Sequence, residues 1–137
     1  MTTGKLPTSR NPTGELLLRV VPRPADANLN GDIFGGWVMS QMDMAGGILA
    51  RKRARSRTVG VSVETMNFIR PIHVGDMVSV YGEIVRVGRT SMTIRLEVYT
   101  SPTLPPLSGE DESFLVANSA FTFVAIDENR RPHPVDR

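Results

Sequence analysis

The 137 residues contain no cysteine. That excludes disulfides, a thiolate nucleophile and thiolate metal sites, and it fits a reducing compartment. Histidine is nearly missing as well: His73 and His133 are the only two, too few for an all-histidine zinc site. No run approaches the roughly 18 consecutive apolar residues of a membrane-spanning helix. Nor does the stretch from Met1 to Arg10 carry the apolar core of a signal peptide. Both absences predict a soluble, cytoplasmic protein. Neither sign of charge dominates. With 16 basic and 14 acidic residues the net charge is +2, so only local clusters can argue for an anionic partner. Familiar hydrolase machinery is missing too. There is no Gly-x-Ser-x-Gly elbow, Ser62 falls in a strand pattern, and neither histidine neighbours a plausible nucleophile.

What is present suits one globular domain, since 40% of the residues are hydrophobic and the length is enough for a core without staples. The expected organisation is a flexible tail over 1–13, a domain over 14–127 and a C-terminal tail over 128–137. Leu16 to Val21 reads as a first strand, ended by Pro22 and Pro24. A turn-rich loop follows to Asp32. From Ile33 to Ala50 there is no proline and a single charge, and Val38, Met42, Ala45 and Leu49 recur at helical spacing. The apolar residues spread around most of that helix, which predicts burial by neighbours on several sides. Arg51 to Arg57 then supplies cations at the negative end of the helix dipole.

Four strands are expected after it: an alternating run from Val59 to Phe68, then Met77 to Val87, Met92 to Tyr99 and Phe114 to Ile126, with a proline-rich loop over Ser101 to Glu112. Helix and strands are segregated along the chain, so the class is α+β with an antiparallel sheet. One sheet encloses one helix only by curling around it. This helix is too apolar for a single sheet face, which predicts at least a dimer.

Asp43 is the anomaly, the one charge of the helix. Its neighbours on the helical face are Gly36, Ser40, Gly47 and Ala50. Each glycine in a helix costs about 1 kcal/mol against alanine, which implies close approach of a backbone or a ligand. An apolar surrounding would make such a carboxylate a stronger base. The structural alternative is an aspartate paired to a strand arginine. Ahead of it, the stretch Gly31 to Gly36 leads into the helix. With no side chains at Gly35 and Gly36, a carbonyl oxygen or a phosphate could approach the unpaired amides there. This is neither a P-loop nor a dinucleotide fingerprint, and a plain helix-starting turn remains an equal alternative. Asn28 and Asn30 could donate amide hydrogen bonds, although turn formation is their default role. The basic run Arg51 to Arg57 has no interleaved aromatics for base stacking, so dipole complementation is favoured over nucleic acid. Gly88, Arg89, Thr90 and Ser91 form a hairpin turn with one cation and two hydroxyls. Together with Arg70 they are the candidates for substrate binding.

The run from Asn28 through Gly35, Gly36 and Trp37 to Asp43 closely resembles the helix-leading motif of hotdog-fold acyl-CoA thioesterases, nearest the YciA-like bacterial subgroup related to brain acyl-CoA hydrolase. The likeness continues through Val63 to Pro71, Val74-Gly75-Asp76, Val87 to Ser91 and Ala120 to Ala125, and so covers roughly Leu16 to Asp127. It implies a hotdog fold, an antiparallel sheet of about five strands wrapped around one long central helix. It also implies homodimers assembled further as a trimer of dimers, a hexamer. The substrate implied is acyl-CoA, hydrolysed to free acid and coenzyme A with no cofactor, no metal and no nucleic acid involved. In that family the helix aspartate, here Asp43, is general base or nucleophile. An asparagine matching Asn28 belongs to the site from the opposite half of the dimer, and amides near Gly35 and Gly36 would polarise the thioester carbonyl. One departure is Phe34, where some relatives carry histidine. The main rival is a non-catalytic acyl-CoA sensor, for which no output module fits into the chain. A histidine-dependent dehydratase and a nucleic-acid binder rank lower.

Overall fold

A computed structural model describes residues 12–104, 107 and 112–136. The elements run β1 (Glu15–Val20), a short 3-10 turn, α1 (Gly35–Ala54), β2 (Arg57–Val63), β3 (Asn67–Phe68), β4 (Asp76–Val87), β5 (Ser91–Pro102) and β6 (Phe114–Ile126). All strands pair antiparallel in the order β1-β4-β5-β6-β2, with β3 also on β6. The sheet curls around α1, which spans about 30 Å at 1.5 Å per residue. This is the hotdog arrangement. Among the described residues no helix is long and apolar enough to cross a membrane.

The helical stripe read from the sequence is the buried one: Val38, Met42, Ala45 and Leu49 all lie in the core. They pack on Val78, Val80, Met92, Ile94, Leu96, Val98 and Phe123 of the sheet. The alternation in β5 holds to Val98, where a bulge shifts the register before Tyr99. Tyr99 is therefore buried as well, against Tyr81 in an edge-on ring pair.

Some boundaries differ from expectation. The helix begins at Gly35 rather than Ile33, because the Ile33 amide donates to the Ile72 carbonyl and holds that residue in a bridge. It runs on through Ala54, so Arg51, Lys52 and Arg53 form its last turn. The run from Val59 to Phe68 is broken between Val63 and Asn67: β2 advances four residues while its partner β6 goes from Phe121 to Asn118. The Glu64 carbonyl accepts from the Ser119 hydroxyl at this irregularity. Ser101 and Pro102 belong to β5, and most of the loop expected beyond them lies outside the described residues, as does the N-terminal tail up to residue 11. The segment after β6 folds back on the body. Val135 is buried, the Val135 amide donates to the Arg89 carbonyl, and Arg53 grips Asp136 at 2.8 Å. That guanidinium holds the Asp136 carboxyl below its ordinary range, through the hydrogen bond first and charge second.

Helix and sheet touch most closely at Gly46. A Cβ there would stand 2.6 Å from Cε1 of Phe123, whose ring is fully buried. Gly46→Ala should therefore destabilise the protein by about 1–3 kcal/mol through overpacking, although alanine is the better helix former. A denaturant titration of the two proteins checks the sign; a stabilised variant would show that the ring can give way.

Candidate active site

Asp43 is exposed on the single chain rather than enclosed by it. It has neither an ion pair nor a hydrogen bond among the described residues, so the strand arginine that would make it structural is not there. On the same side of α1, Met44 and Ile48 are about half exposed. Within one chain the sheet covers only the opposite face, which leaves this one to the second copy that the apolar spread of the helix predicts. The glycines in the Asp43 stripe are also not explained by contacts within the chain. A Cβ at Gly36 would meet nothing within 4 Å, and one at Gly47 only Phe123 at 3.9 Å. The glycine that intramolecular packing requires is Gly46, on the core side.

The carboxylate opens into a groove of about 540 Å³ lined by Met39, Ser40, Gly60, Val61, Ser62, Val63 and Phe121. Its far wall is β2, an edge strand that among the described residues pairs only with β6. Val61 and Val63 stay exposed there, and the register slips between Gly60 and Ser62. Bulges of this kind re-aim side chains and recur beside active sites.

A second groove, of about 440 Å³, brings together Asn28, Gly35, Phe68 and Arg70. Side-chain Oδ1 of Asn28 accepts from the amides of Asn30 at 2.8 Å and Asp32 at 3.1 Å. The turn role assigned by default to Asn28 is thus real, and it uses only the oxygen. The side-chain NH2 has no partner among the described residues and is the group Asn28 can offer a ligand. Asn30 contributes only its backbone to this turn. Phe34 stands at the N-cap and offers no side-chain cap, and the amides of Gly35 and Gly36 find no acceptor among the described residues. The missing side chain of Gly35 makes room for the Phe68 ring, 3.2 Å from where its Cβ would be. Phe68 was not singled out from the sequence. An exposed aromatic in a two-residue strand gives no periodicity to find it by. The guanidinium of Arg70 lies 4.2 Å over the Phe114 ring at the edge of this groove. Beside it, His73 stands 3.4 Å from Asp32.

Two groups of candidates are kept apart. Asp43 is seven residues from Gly36, about 10 Å along the axis, so it cannot reach the amides of its own helix start. The turn Gly88 to Ser91 contributes to the lining of neither groove. It is closed by the Gly88 amide on the Ser91 carbonyl, and the Thr90 carbonyl accepts from the Ala125 amide. Its backbone is thereby fixed, with the Arg89 side chain exposed and in no ion pair among the described residues.

Comparison with known proteins adds three findings. A family model described as the thioesterase superfamily matches residues 30–105. An acyl-CoA thioester hydrolase of Haemophilus influenzae is 50% identical over 93% of this chain and 82% of its own length, and the acyl-CoA thioester hydrolase YciA of Salmonella typhimurium is 45% identical over 90% of this chain and 92% of its own. Among solved structures, an aspartate-to-alanine mutant of HI0827, a hexameric broad-specificity acyl-coenzyme A thioesterase, superposes with a TM-score of 0.85 at 49% identity, covering 91% of this chain and 88% of that one.

Proposed function

The chain belongs to the thioesterase superfamily and is an acyl-CoA thioester hydrolase, and from that premise we propose that Asp43 drives hydrolysis at a site completed by a second copy of the chain. The observation that carries the proposal is the separation within one chain. The base is in one groove; Asn28 and Gly35 are in another, with Gly36 next along the helix start. A two-fold axis that sets two α1 helices antiparallel, with the exposed faces of Asp43, Met44 and Ile48 inward, brings each Asp43 toward the partner's helix start. The free edge of β2 would be covered by the same pairing, which answers the exposure of Val61 and Val63. Three such dimers make the hexamer, the state reported for the HI0827 thioesterase.

In this mechanism the thioester carbonyl accepts from the helix-start amides and from the Asn28 NH2, where charge develops in the tetrahedral intermediate. Asp43 takes a proton from water as the water attacks, or attacks itself to give a mixed anhydride that water then opens. Coenzyme A leaves as a thiolate, which needs little acid assistance because thiols ionise near pH 8.5. The absence of histidine from the helix region is therefore no obstacle, and the route draws on no metal or cofactor. Arg89 with its flanking hydroxyls and Arg70 would attract the phosphates of the nucleotide.

Asn28→Asp tests the donor role. The variant keeps an acceptor for the turn but replaces the NH2 by a second carboxylate oxygen, so kcat should fall by about 10²–10³ with little change in melting temperature. Mixing that variant with Asp43→Asn after reversible dissociation tests the shared site. Hybrid dimers contain one intact pair, so random mixing should restore about a quarter of the wild-type rate. If two inactive proteins remain inactive when exchange is demonstrated by mass, the site lies within one chain.

A further inference from the structure

The segment after β6 is tied down along its whole length. Asp127 Oδ1 accepts from the amides of Asn129 at 2.8 Å and Arg131 at 3.0 Å, and Arg130 turns the chain back in the left-handed region at φ 64°. Pro132 then bridges Ile126, the His133 amide donates to the Ala125 carbonyl, and Val135 enters the core. Arg53, in the last turn of α1, closes on Asp136 as a fork, with bonds of 2.8 and 3.3 Å. Both side chains of that pair remain largely open to solvent, where an ion pair adds little to stability. Its effect is to fix where the end of this strap lies.

What the strap holds is the turn between β4 and β5. The Arg89 carbonyl accepts from the Val135 amide at 2.9 Å, the Thr90 carbonyl from the Ala125 amide at 2.9 Å, and the Ser91 carbonyl from the Gly88 amide at 2.8 Å. All three carbonyls are thereby held against the body. The amides of Arg89 and Thr90 find no acceptor among the described residues, and the Arg89 guanidinium is in no ion pair among them. The groups left uncommitted are donors, which is what an anion requires. Of the three carbonyls, only that of Arg89 depends on the strap.

We propose that the strap of residues 127–136 sets the affinity for the phosphates of acyl-CoA: Val135 and Asp136 are positioning residues that hold the Arg89 turn in its anion-accepting form. The inference rests on the reading of Arg89 as a phosphate contact and deepens it. With the strap released, the Arg89 carbonyl can turn outward, and only part of the molecules stand ready to bind. A ready fraction between about a third and a tenth weakens apparent affinity about three- to tenfold. The strap lines neither groove, so the chemical step is left as it was.

The test measures thiol release from butyryl-CoA and from butyryl-pantetheine, which carries the same thioester without the nucleotide and its phosphates. Wild type, Val135→Ala and Asp136→Ala are compared as intact oligomers. Each variant should raise KM for butyryl-CoA about three- to tenfold at constant kcat, and keep kcat/KM for butyryl-pantetheine within a factor of about two. Asp136→Ala also separates position from charge, because removing an anion near a phosphate would by itself lower KM. Arg89→Gln should raise KM for butyryl-CoA, and adding Val135→Ala to it should change nothing further, since the strap acts through that turn. The proposal is overturned by a KM for butyryl-CoA that stays or falls in either strap variant, by an equal loss on both thioesters, or by a full effect of Val135→Ala in the Arg89→Gln background. If Val135→Ala does not fold, Asp136→Ala decides, alone and in the Arg89→Gln background. An unchanged KM in Arg89→Gln would mean that the reading of Arg89 has failed and the proposal with it. A wild type that releases no thiol from either compound or from longer acyl-CoAs would instead remove the thioesterase reading itself.

Discussion

Asp43→Asn is expected to lower thiol release from acyl-CoA by about 10²–10⁴-fold, with KM nearly unchanged and the protein as stable as the wild type. The two halves of that expectation have separate origins. Stability is preserved because the carboxylate is exposed on its own chain and makes no ion pair or hydrogen bond among the described residues. An isosteric amide breaks nothing there, and surface changes of that kind stay within about 0.5 kcal/mol. Activity is lost because the groove around Asp43 holds no second side chain able to take a proton at neutral pH: its other polar side chains are Ser40 and Ser62. The assay is clean for this chain. With no cysteine, a thiol-reactive dye reports only liberated coenzyme A. A variant retaining more than about a tenth of the wild-type rate would remove Asp43 from the chemistry, since general-base contributions begin near a hundredfold. Solvent oxygen labelling in a single turnover then separates the two routes; label entering the Asp43 carboxylate marks the anhydride.

The largest stability effect should come from Phe123→Ala, a loss of about 3–5 kcal/mol. The ring is enclosed by three glycines: Gly46 and Gly47 on α1 and Gly60 on β2 all place a would-be Cβ within 3.9 Å of it. It also stacks on Phe121 with ring centroids 6.3 Å apart. The three glycines offer no side chain of their own to refill the space. The cavity therefore stays open, and cavity volume is what raises the penalty above the transfer free energy. Urea unfolding of wild type and variant measures it. A loss under about 1.5 kcal/mol, the range of volume-conserving core swaps, would mean that α1 settles onto the sheet and the socket collapses. Such settling would also draw Asp43 against β2, so activity in the variant gives an independent reading of the same movement.

Local pattern carried much of this molecule. Val38, Met42, Ala45 and Leu49 mark the buried helical stripe by spacing alone, because a helix packed on one sheet must repeat its apolar contacts every three to four residues. Met92, Ile94, Leu96 and Val98 do the same for a strand with period two. Asp43 stood out because a lone charge in an apolar helix conflicts with its surroundings, and such conflicts concentrate at functional positions. The glycines were harder. Sequence shows that a side chain is missing but not which direction the gap faces, so Gly36 and Gly47 looked like the close contacts while Gly46 makes the tight one. Gly60 and Phe68 carried no signal at all, since their importance arises from what packs opposite them. The double role of Asn28 was legible only in part: the residue type suggests a turn, but which atom the turn consumes is a matter of geometry.

The sequence by itself determined the α+β class, the helix with its inward face, the strand order along the chain and the lone carboxylate of the apolar helix, because each depends on neighbours within a few residues. Only the tertiary structure decided that Asp43 faces out of its own chain and that Asn28, Gly35 and Arg70 share a groove without it. The same holds for the register slip beside Gly60 and for the folding back of residues 127–136 to anchor the Arg89 turn. These depend on contacts between segments tens of residues apart. Their free energy comes from matching surfaces that no local periodicity records.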